Sequence, residues 1–398
     1  MTSSDLPYWR LSAFYFAYLG ALGAYAPYFA PYLETRGLRA WQISVIMSLW
    51  YATRVLAPSL WGAATARAAR PILWLRAGAL ATLFSFALFL LPFKFAGLLL
   101  VMALFASVYN AIMPQFEAIT LSSLGVQRSR YGRIRVWGSV GFVLANLGFG
   151  ALLQALGYHW LVATLLPVFG LLVAASWINR DPPLVAEDHG RGGFRENVLP
   201  RLRDRPLLIF LLTALAMQLS HGAFYVFLSL HLDKNGYAPQ AIGAFWAVGV
   251  SAEIAMFLVV PRFLSRFSPR AAMAICFAVG AVRWLVTALL PQYWIAIGLA
   301  QLGHAFTFAV FHSASIQAIS QFFPGRSGVH GQGLLYGFGS GLGGVLGALL
   351  AGALWEVGGG RASFLGASVV SVIGLMLALR VRVPEAASTT VDRQPQSR

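Results

Sequence analysis

The sequence predicts an all-α membrane protein, with about twelve transmembrane helices arranged in two pseudo-symmetric six-helix bundles. Three observations carry this prediction: the composition, the spacing of the apolar runs, and the side on which the basic residues fall. Hydrophobic residues make up 58% of the 398 residues and charged residues 11%, whereas about a quarter of a soluble domain is charged. Because one span needs ~20 mainly apolar residues, this length holds about twelve spans and no large soluble domain.

The apolar runs form two sets that flank one polar stretch, which predicts the division into bundles. The first set lies at about 11–33, 42–64, 71–91, 96–121, 133–156 and 159–178. The second set lies at about 206–230, 240–264, 270–290, 293–316, 330–354 and 362–381. We therefore expect an N-terminal six-helix bundle at 1–178, a cytoplasmic linker at 179–205, a C-terminal six-helix bundle at 206–383 and a disordered cytoplasmic tail at 384–398.

The number of basic residues alternates between high and low from one loop to the next. Twenty of the 29 lysines and arginines lie on the side that holds both termini, and five lie in the loops of the other side. Because cytoplasmic loops carry the excess of Lys and Arg, both termini are expected to be cytoplasmic in a multi-pass protein of the cell's inner membrane. The formal net charge of +16 is then explained by the lipid bilayer, and no nucleic-acid partner is predicted.

Charged side chains inside the apolar runs mark the expected functional region. A charge at mid-bilayer costs ~2.5–3.5 kcal/mol on insertion scales, so such residues usually face a cavity and act there. The residues of this kind, together with their titratable neighbours, are Glu117, Glu253, Arg54, Arg135, Arg283, His221 and His304.

Glu117 and Arg135 lie on consecutive spans, so both can point into one cavity of the first half. A carboxylate and a guanidinium neutralise each other, and such a pair can open to receive a polar or charged ligand. The alternative is a permanent salt bridge that ties the fourth and fifth helices together.

Glu253 and the two histidines are candidates for proton transfer in the second half. A carboxylate in a membrane-spanning helix is suited to taking up and releasing a proton, although Glu253 could instead be a static partner of Arg283 or Arg54. Neutral imidazoles at His304 and His221 could relay a proton or donate to a ligand, or could be ordinary hydrogen-bonded interior residues.

Motifs for other chemistries are missing from the sequence. Residues 339–344 match the pattern GxGxxG, but no strand precedes them, and small residues spaced in this way allow close helix packing in membranes. No Walker A loop, metal-ligand spacing or nucleophile elbow occurs, so we predict no cofactor, no metal and secondary rather than ATP-driven transport. An intramembrane enzyme and a non-transporting sensor are alternatives from other classes. The sequence lacks the catalytic motifs that the enzyme would need and the soluble domain that the sensor would need.

Several motifs carry a family resemblance over essentially the whole chain. In the first half they are PQFE at 114–117 and YGRIRVWG at 131–138; in the second half they lie at 220–225, 249–253, 283–284, 302–304 and 331–337. These residues resemble the lactose-permease-like branch of the major facilitator superfamily, and more closely its phenylpropionate permease group. The resemblance implies the major facilitator fold, a monomer, and proton-coupled uptake by alternating access.

The resemblance also implies roles for residues of the first half. Glu117 and Arg135 match the pair that binds sugar in lactose permease. Ser139 and Phe142 fall where that permease places a small pocket residue and a stacking aromatic. These four residues, with Arg54 and His221, are therefore the predicted substrate-binding residues.

In the second half, Arg283 and His304 match the arginine and histidine of the permease's proton-coupling machinery. Three residues after His304, however, Thr307 stands where the permease carries its proton-binding glutamate. The only carboxylate inside a span of this half is Glu253, so the predicted proton-coupling residues are Glu253, Arg283 and His304. The permease's lysine in the eleventh span is also missing, which argues against lactose as the substrate.

The balance of buried charge suggests the substrate class. Three buried arginines face two buried glutamates, and a small organic anion would complete that balance. We therefore predict proton-coupled uptake of a small organic carboxylate, aromatic acids included, with protons and the small-molecule substrate as partners. Proton symport of a neutral sugar or nucleoside, and proton-antiport drug efflux, are the alternatives within transport.

Overall fold

The computed structural model describes residues 7–65, 68–181, 198 and 200–384, and all regular structure within these residues is helical. Most of the predicted linker, at 182–197 and 199, lies outside the described residues, as does the predicted tail beyond residue 384. The described end of the linker, Pro200–Arg203, is a short 3₁₀ helix. Its Arg201 donates to the carbonyl of Phe322 and stacks over Phe323, so this end packs on the second half.

The first half, called the N half below, reaches from residue 7 to 178. Its helices are α1 (Tyr8–Tyr25), α2 (Phe29–Thr35), α3 (Ala40–Thr65), α4 (Pro71–Ala87), α5 (Phe95–Leu124), α6 (Tyr131–Leu156) and α7 (Leu161–Ile178). A break at 26–28 divides the first apolar run into α1 and α2. Gly125, with a φ of 49° that favours glycine, ends α5 and begins the 3₁₀ turn that leads into α6.

The second half, called the C half, begins at Arg205. Its helices are α8 (Arg205–Ser220), α9 (Gly222–Lys234), α10 (Pro239–Leu264), α11 (Pro269–Leu289), α12 (Trp294–Leu302), α13 (Phe311–Phe322), α14 (Gly328–Leu334) and α15 (Gly343–Ala378). Two π-helical segments, Phe306–Val310 and Leu335–Leu342, join α12 to α13 and α14 to α15. α15 contains a backbone break at Gly358 and Gly359.

Nine helical stretches of the described chain are long and apolar enough to cross a membrane. Two of them, Phe95–Leu156 and Gly328–Ala378, are 62 and 51 residues long, at least twice the ~20 residues that a single span needs. Each of these two contains one of the breaks described above, near Gly125 and at Gly358. The predicted all-α membrane class is confirmed, while the exact number of twelve spans stays a prediction.

Small residues bring one pair of helices in each half into close contact. A Cβ atom at Gly141 of α6 would lie 2.4 Å from the carbonyl oxygen of Phe16 in α1. In the C half, a Cβ atom at Gly347 of α15 would lie 2.7 Å from the carbonyl oxygen of Leu219 in α8. Small residues allow such approach in membrane helices, and the matching pairs agree with the predicted pseudo-symmetry.

The two halves meet at one end of the bundle, the end that holds Thr35 and Lys234. We call it the opposite end, and call the end that holds Tyr8, Ile178 and Ala378 the terminal end. At the opposite end the ammonium of Lys234 lies 2.8 Å from Glu34. Other bonds between the halves join Tyr158 to Asp233 (3.1 Å) and the backbone N–H of Trp41 to Glu356 (3.1 Å).

Glycines extend this closure toward the middle of the bundle. Gly243 of α10 packs so closely on α6 that a Cβ atom there would lie 2.4 Å from the carbonyl oxygen of Asn146. Gly344 of α15 packs likewise against the ring of Tyr51 in α3. These contacts reach the middle of α3, where Val55 packs on Gly341 of the C half, whereas the neighbouring Arg54 is exposed. The halves are therefore closed at the opposite end, with a cleft toward the terminal end.

Candidate functional site

The predicted residues of the N half lie on α3, α5 and α6. Arg135, Ser139 and Phe142 are half-buried and follow one another at helical spacing, so they share one face of α6. Arg54 is exposed on α3 and forms no hydrogen bond or ion pair with another described residue. Glu117 is half-buried on α5.

Glu117 and Arg135 do not touch each other. Within the described part of the chain, no ion pair of 4 Å or less joins them. Instead, the Tyr131 hydroxyl donates to Glu117 Oε1 at 3.2 Å, and the Arg135 guanidinium lies 5.4 Å from the ring centre of Tyr15. The permanent salt bridge considered as an alternative is therefore not present in this conformation, and the role of the pair in binding stays a prediction.

The predicted residues of the C half, in contrast, lie in one connected group. Arg283 of α11 donates through Nη1 to His304 Nδ1 (3.2 Å) and to Thr307 Oγ1 (3.0 Å). Its other terminal nitrogen, Nη2, donates to Gln301 Oε1 at 3.2 Å. His304 Nε2 lies 3.4 Å from Glu253 Oε2.

His221, the residue between α8 and α9, completes this group. Its Nε2 lies 3.2 Å from Thr307 Oγ1, and its Nδ1 lies 2.8 Å from the carbonyl oxygen of Met217. We call the group the C-half network; its members are Glu253, His304, Arg283, Gln301, Thr307 and His221.

The partners of each histidine determine where its proton lies. A guanidinium only donates, so His304 Nδ1 accepts from Arg283 and the ring proton is on Nε2, next to Glu253. A carbonyl oxygen only accepts, so His221 carries its proton on Nδ1, toward Met217. Nε2 of His221 then accepts from the Thr307 hydroxyl. Both histidines are neutral in this arrangement, and Arg283 is its only buried cation.

Aromatic rings enclose the guanidinium of Arg283. Its central carbon lies 4.5 Å from the ring centre of Phe224 and 4.2 Å from that of Trp284. Cation–π attraction compensates part of the cost of removing the charge from water. Arg283 is 2% exposed, so the remaining charge has to be balanced inside the protein.

Comparison with known proteins identifies the family. The sequence profile of the MFS_1 like family matches residues 8–366. The chain belongs to this family. The resemblance to the major facilitator superfamily drawn from the sequence is thereby confirmed.

Relatives of this MFS_1 like protein include transporters of different substrates. The "Probable 3-phenylpropionic acid transporter" of Escherichia coli (strain K12) is 27% identical over 314 residues, which are 77% of this chain and 80% of the relative. The maltose permease of Geobacillus stearothermophilus is 26% identical over 373 residues, 92% of each chain. Among solved structures, the nucleoside transporter NupG superposes with a TM-score of 0.80 at 17% identity, over 95% of this chain and 99% of that one.

These findings establish the general function of this MFS_1 like protein. It is a multi-pass membrane transporter of small molecules, not an enzyme. The relatives named here are a probable 3-phenylpropionic acid transporter and a maltose permease, and the likeness to NupG, at 17% identity, shows the fold alone. Membership of the family therefore does not specify the substrate of this transporter.

Sequence reasoning did not single out Gln301 as a partner of Arg283, and it noted Thr307 only as a departure from the permease pattern. Both residues are polar within an apolar run, three positions before and three after His304. Residues at this spacing share one helix face, so the sequence did contain a signal for them. The π-helix Phe306–Val310, which lies where Thr307 meets Arg283, has no such signal.

Proposed function

We propose that this transporter takes up a small organic carboxylate, aromatic acids included, together with protons, by alternating access. The environment of Arg283 is the observation that supports the proposal. Arg283 has a buried guanidinium whose hydrogen-bond partners His304, Thr307 and Gln301 are all uncharged. Removing an ion from water without a counter-ion costs several kcal/mol, and a carboxylate ligand would supply that counter-ion with matching geometry.

Glu253 and His304 support the proton-coupling part of the proposal. The Glu253 side chain is 18% exposed and the His304 side chain 5%, so a proton can reach the carboxylate from the cleft, and the His304 Nε2–H faces the carboxylate that binds it. Residues of this kind form proton relays in transporters. Glu253, His304 and Arg283 are the proposed coupling residues.

The N half would supply the other wall of the binding site. We assign ligand contacts there to residues that face the cleft from α3, α5 and α6, and one from the C half. They are Arg54, Glu117, Arg135, Ser139, Phe142 and His221. An aromatic ring of the ligand would stack on Phe142, and Arg54 or Arg135 would attract the acid electrostatically.

Neutral sugars and nucleosides are the second candidate substrates, because maltose permease and NupG are relatives. A neutral ligand would leave Arg283 without a counter-ion, which favours the acid. Proton-antiport efflux of drugs has no specific observation in its favour. We further propose that the protein is a monomer in the inner membrane with both termini cytoplasmic, as the loop charges predict.

The test is uptake of labelled 3-phenylpropionate into proteoliposomes that contain the purified transporter. Uptake is compared with and without an inward proton gradient, and in the presence of unlabelled 3-phenylpropionate, maltose or uridine as competitors. Gradient-driven uptake that only the acid inhibits is the expected result. Uptake of 3-phenylpropionate that is no faster than in protein-free liposomes would overturn the aromatic-acid assignment, and inhibition by maltose or uridine would favour the second candidates.

A further inference from the structure

A small cavity lies beside the C-half network, and no role has been assigned to it so far. It has a volume of about 80 Å³ and is bounded by α8, by the segment 307–315 and by the segment 335–340. Its polar lining consists of Gln218, His221, Thr307, His312, Ser315 and Ser340. None of the described residues that line it is Asp or Glu.

Ser315 is the most informative residue of the lining. It is 3% exposed, and within the described chain its hydroxyl has no hydrogen-bond partner. A buried polar group without a hydrogen-bond partner destabilises the folded protein, so such a group needs an explanation. A ligand atom that accepts a hydrogen bond inside the cavity would explain this one.

The charge next to the cavity favours an anion. Thr307 lines the cavity and also accepts from Arg283 Nη1 at 3.0 Å, so the guanidinium is one hydroxyl away from the space. Within the described residues, no carboxylate lies within 4 Å of Arg283. Glu253 lies outside the lining but interacts electrostatically with the lining residues Tyr225 and His312. The cavity itself combines hydrogen-bond donors, a nearby buried cation with no described carboxylate within 4 Å, and a lining without acidic residues.

The volume determines how much of a ligand can enter. The cavity is large enough for several water molecules, and so for a carboxylate group. It is much smaller than the ~300 Å³ at which pockets for whole drug-sized ligands begin. Only the acid end of a larger ligand would fit, while the remainder would lie in the cleft past the half-exposed Tyr336 and Ser340.

We propose that this cavity is the pocket for the carboxylate group of the transported acid. The carboxylate accepts from the Ser315 hydroxyl and from the Thr307 hydroxyl, which turns away from His221 Nε2 while it still accepts from Arg283. The acid end is thus held by the C half and the organic part faces the N half. This inference rests on the proposed function, because it concerns the same transport site.

The test uses thiol labelling, which does not depend on transport. Cys276 is the only cysteine of the chain and is 0% exposed. In a Cys276→Ser background, Ser315→Cys places a thiol in the cavity, and Ser320→Cys places one at an exposed position of the same helix. Ser340→Cys, on the facing segment of the cavity, serves as a second variant in case Ser315→Cys does not fold.

Each purified variant reacts with 2-sulfonatoethyl or with 2-aminoethyl methanethiosulfonate, which carry opposite charges. Local fields of one sign change encounter rates by about tenfold or more. We therefore expect the ratio of anionic to cationic labelling rates to be about tenfold higher in the cavity than at residue 320. Acetate should slow labelling in the cavity, and acetamide, its neutral isostere, should not.

Equal charge preference at the cavity and at residue 320, with no protection by acetate, would overturn the inference even if 3-phenylpropionate is transported. Protection by acetate in a protein that transports no 3-phenylpropionate would leave the carboxylate pocket in place and refute only the aromatic-acid assignment. The two proposals can therefore fail separately.

Discussion

His304 Nε2 lies 3.4 Å from Glu253 Oε2, while the other nitrogen of the same ring accepts from Arg283. The two contacts cannot both persist if the histidine gains a second proton. A proton on Nδ1 would point at a guanidinium that has no acceptor. Protonation of His304 would therefore break its hydrogen bond with Arg283 Nη1, while Thr307 and Gln301 still accept from the guanidinium. We propose that this exclusion links proton binding to the binding of an anion near Arg283.

Glu253→Gln should abolish the proton dependence of transport. The amide cannot take up a proton, so the proton-binding group next to His304 is lost, whereas the shape of the site is kept. We expect accumulation driven by an inward proton gradient to fall to the level reached without a gradient. Exchange of labelled for unlabelled substrate, which needs no net proton movement, should continue. Uptake into proteoliposomes measures both activities.

Glu356→Gln is the matched control for this experiment. Glu356 accepts from the backbone N–H of Trp41 at the opposite end, and a glutamine oxygen can accept the same bond. The control should keep its response to the gradient. A Glu253→Gln protein that still concentrates substrate as well as the parent would show that the coupling carboxylate lies elsewhere.

Arg283→Lys should reduce transport by about tenfold or more, although the charge is conserved. The guanidinium donates to His304, Thr307 and Gln301 from two nitrogens and lies close to the rings of Phe224 and Trp284. A lysine ammonium is a compact point charge that cannot reproduce a planar fork. The measurement is the initial rate of uptake, together with the melting temperature in detergent to verify folding.

Arg76→Lys is the corresponding control outside the network. One nitrogen of Arg76 donates to the carbonyl oxygens of Trp177 and Asn179, an arrangement that a single ammonium can also form. Its transport rate should stay within about twofold of the parent, because the half-buried Arg76 lies outside the C-half network and a lysine can keep both hydrogen bonds. If Arg283→Lys is equally active, the fork geometry of Arg283 has no role in transport.

The sequence predicts the all-α class and most members of the C-half network, because both follow from the difference between apolar and polar residues along a single sequence. Long apolar runs identify the spans, and a polar residue such as Glu253 or Arg283 is conspicuous within them. The hydrogen bonds are less visible. They depend on the π-helix Phe306–Val310, which shifts the helix faces after His304, and nothing in the residue types of 306–310 indicates that shift.

The distance between Glu117 and Arg135, which were predicted to point into one cavity, illustrates a second limit. Position on consecutive spans places both residues at similar depth, but their distance depends on how the Gly125–Arg130 turn directs α6. In the structure Tyr131, directly after that turn, takes the hydrogen bond of Glu117. The closure at the opposite end could not be predicted from the sequence either, because contacts between the halves depend on packing over the whole bundle and not on local sequence patterns.

Gly243→Ala should destabilise the closed opposite end. The added Cβ atom would lie 2.2 Å from the hydroxyl oxygen of Tyr28 and 2.4 Å from the carbonyl oxygen of Asn146, so α10 and α6 have to separate. Overpacking typically costs about 1–3 kcal/mol. We expect a lower melting temperature in detergent and a larger separation of the halves at this end. The control is Gly148→Ala in α6, where an added Cβ atom meets nothing within 4 Å; equal melting temperatures for the two variants would contradict the prediction.

The ion pair between Glu34 and Lys234 should favour the closed opposite end by a smaller amount. Its side chains are 40% and 51% exposed, and exposed pairs contribute about 0.2–1 kcal/mol, which corresponds to at most about fivefold in a conformational equilibrium. Lys234→Glu places two negative charges together and should increase the population open at this end by a factor of this size. The measurement is the distance distribution between spin labels at Arg39→Cys and Ala238→Cys in the Cys276→Ser background.

Charge reversal of both residues separates the ion pair from other effects of the substitution. The double variant Glu34→Lys with Lys234→Glu restores opposite charges at the same two positions, so its distance distribution should return to that of the parent. If the double variant stays as open as Lys234→Glu alone, the loss of the lysine itself, through its packing or its helix-end position, is responsible. In that case the closure would rest on the glycine contacts of α10 with α6 and of α15 with α3, which are buried and insensitive to salt. Repeating the measurement at high ionic strength distinguishes closure by the ion pair from closure by the glycine contacts, because salt screens an exposed ion pair and leaves close backbone packing unchanged.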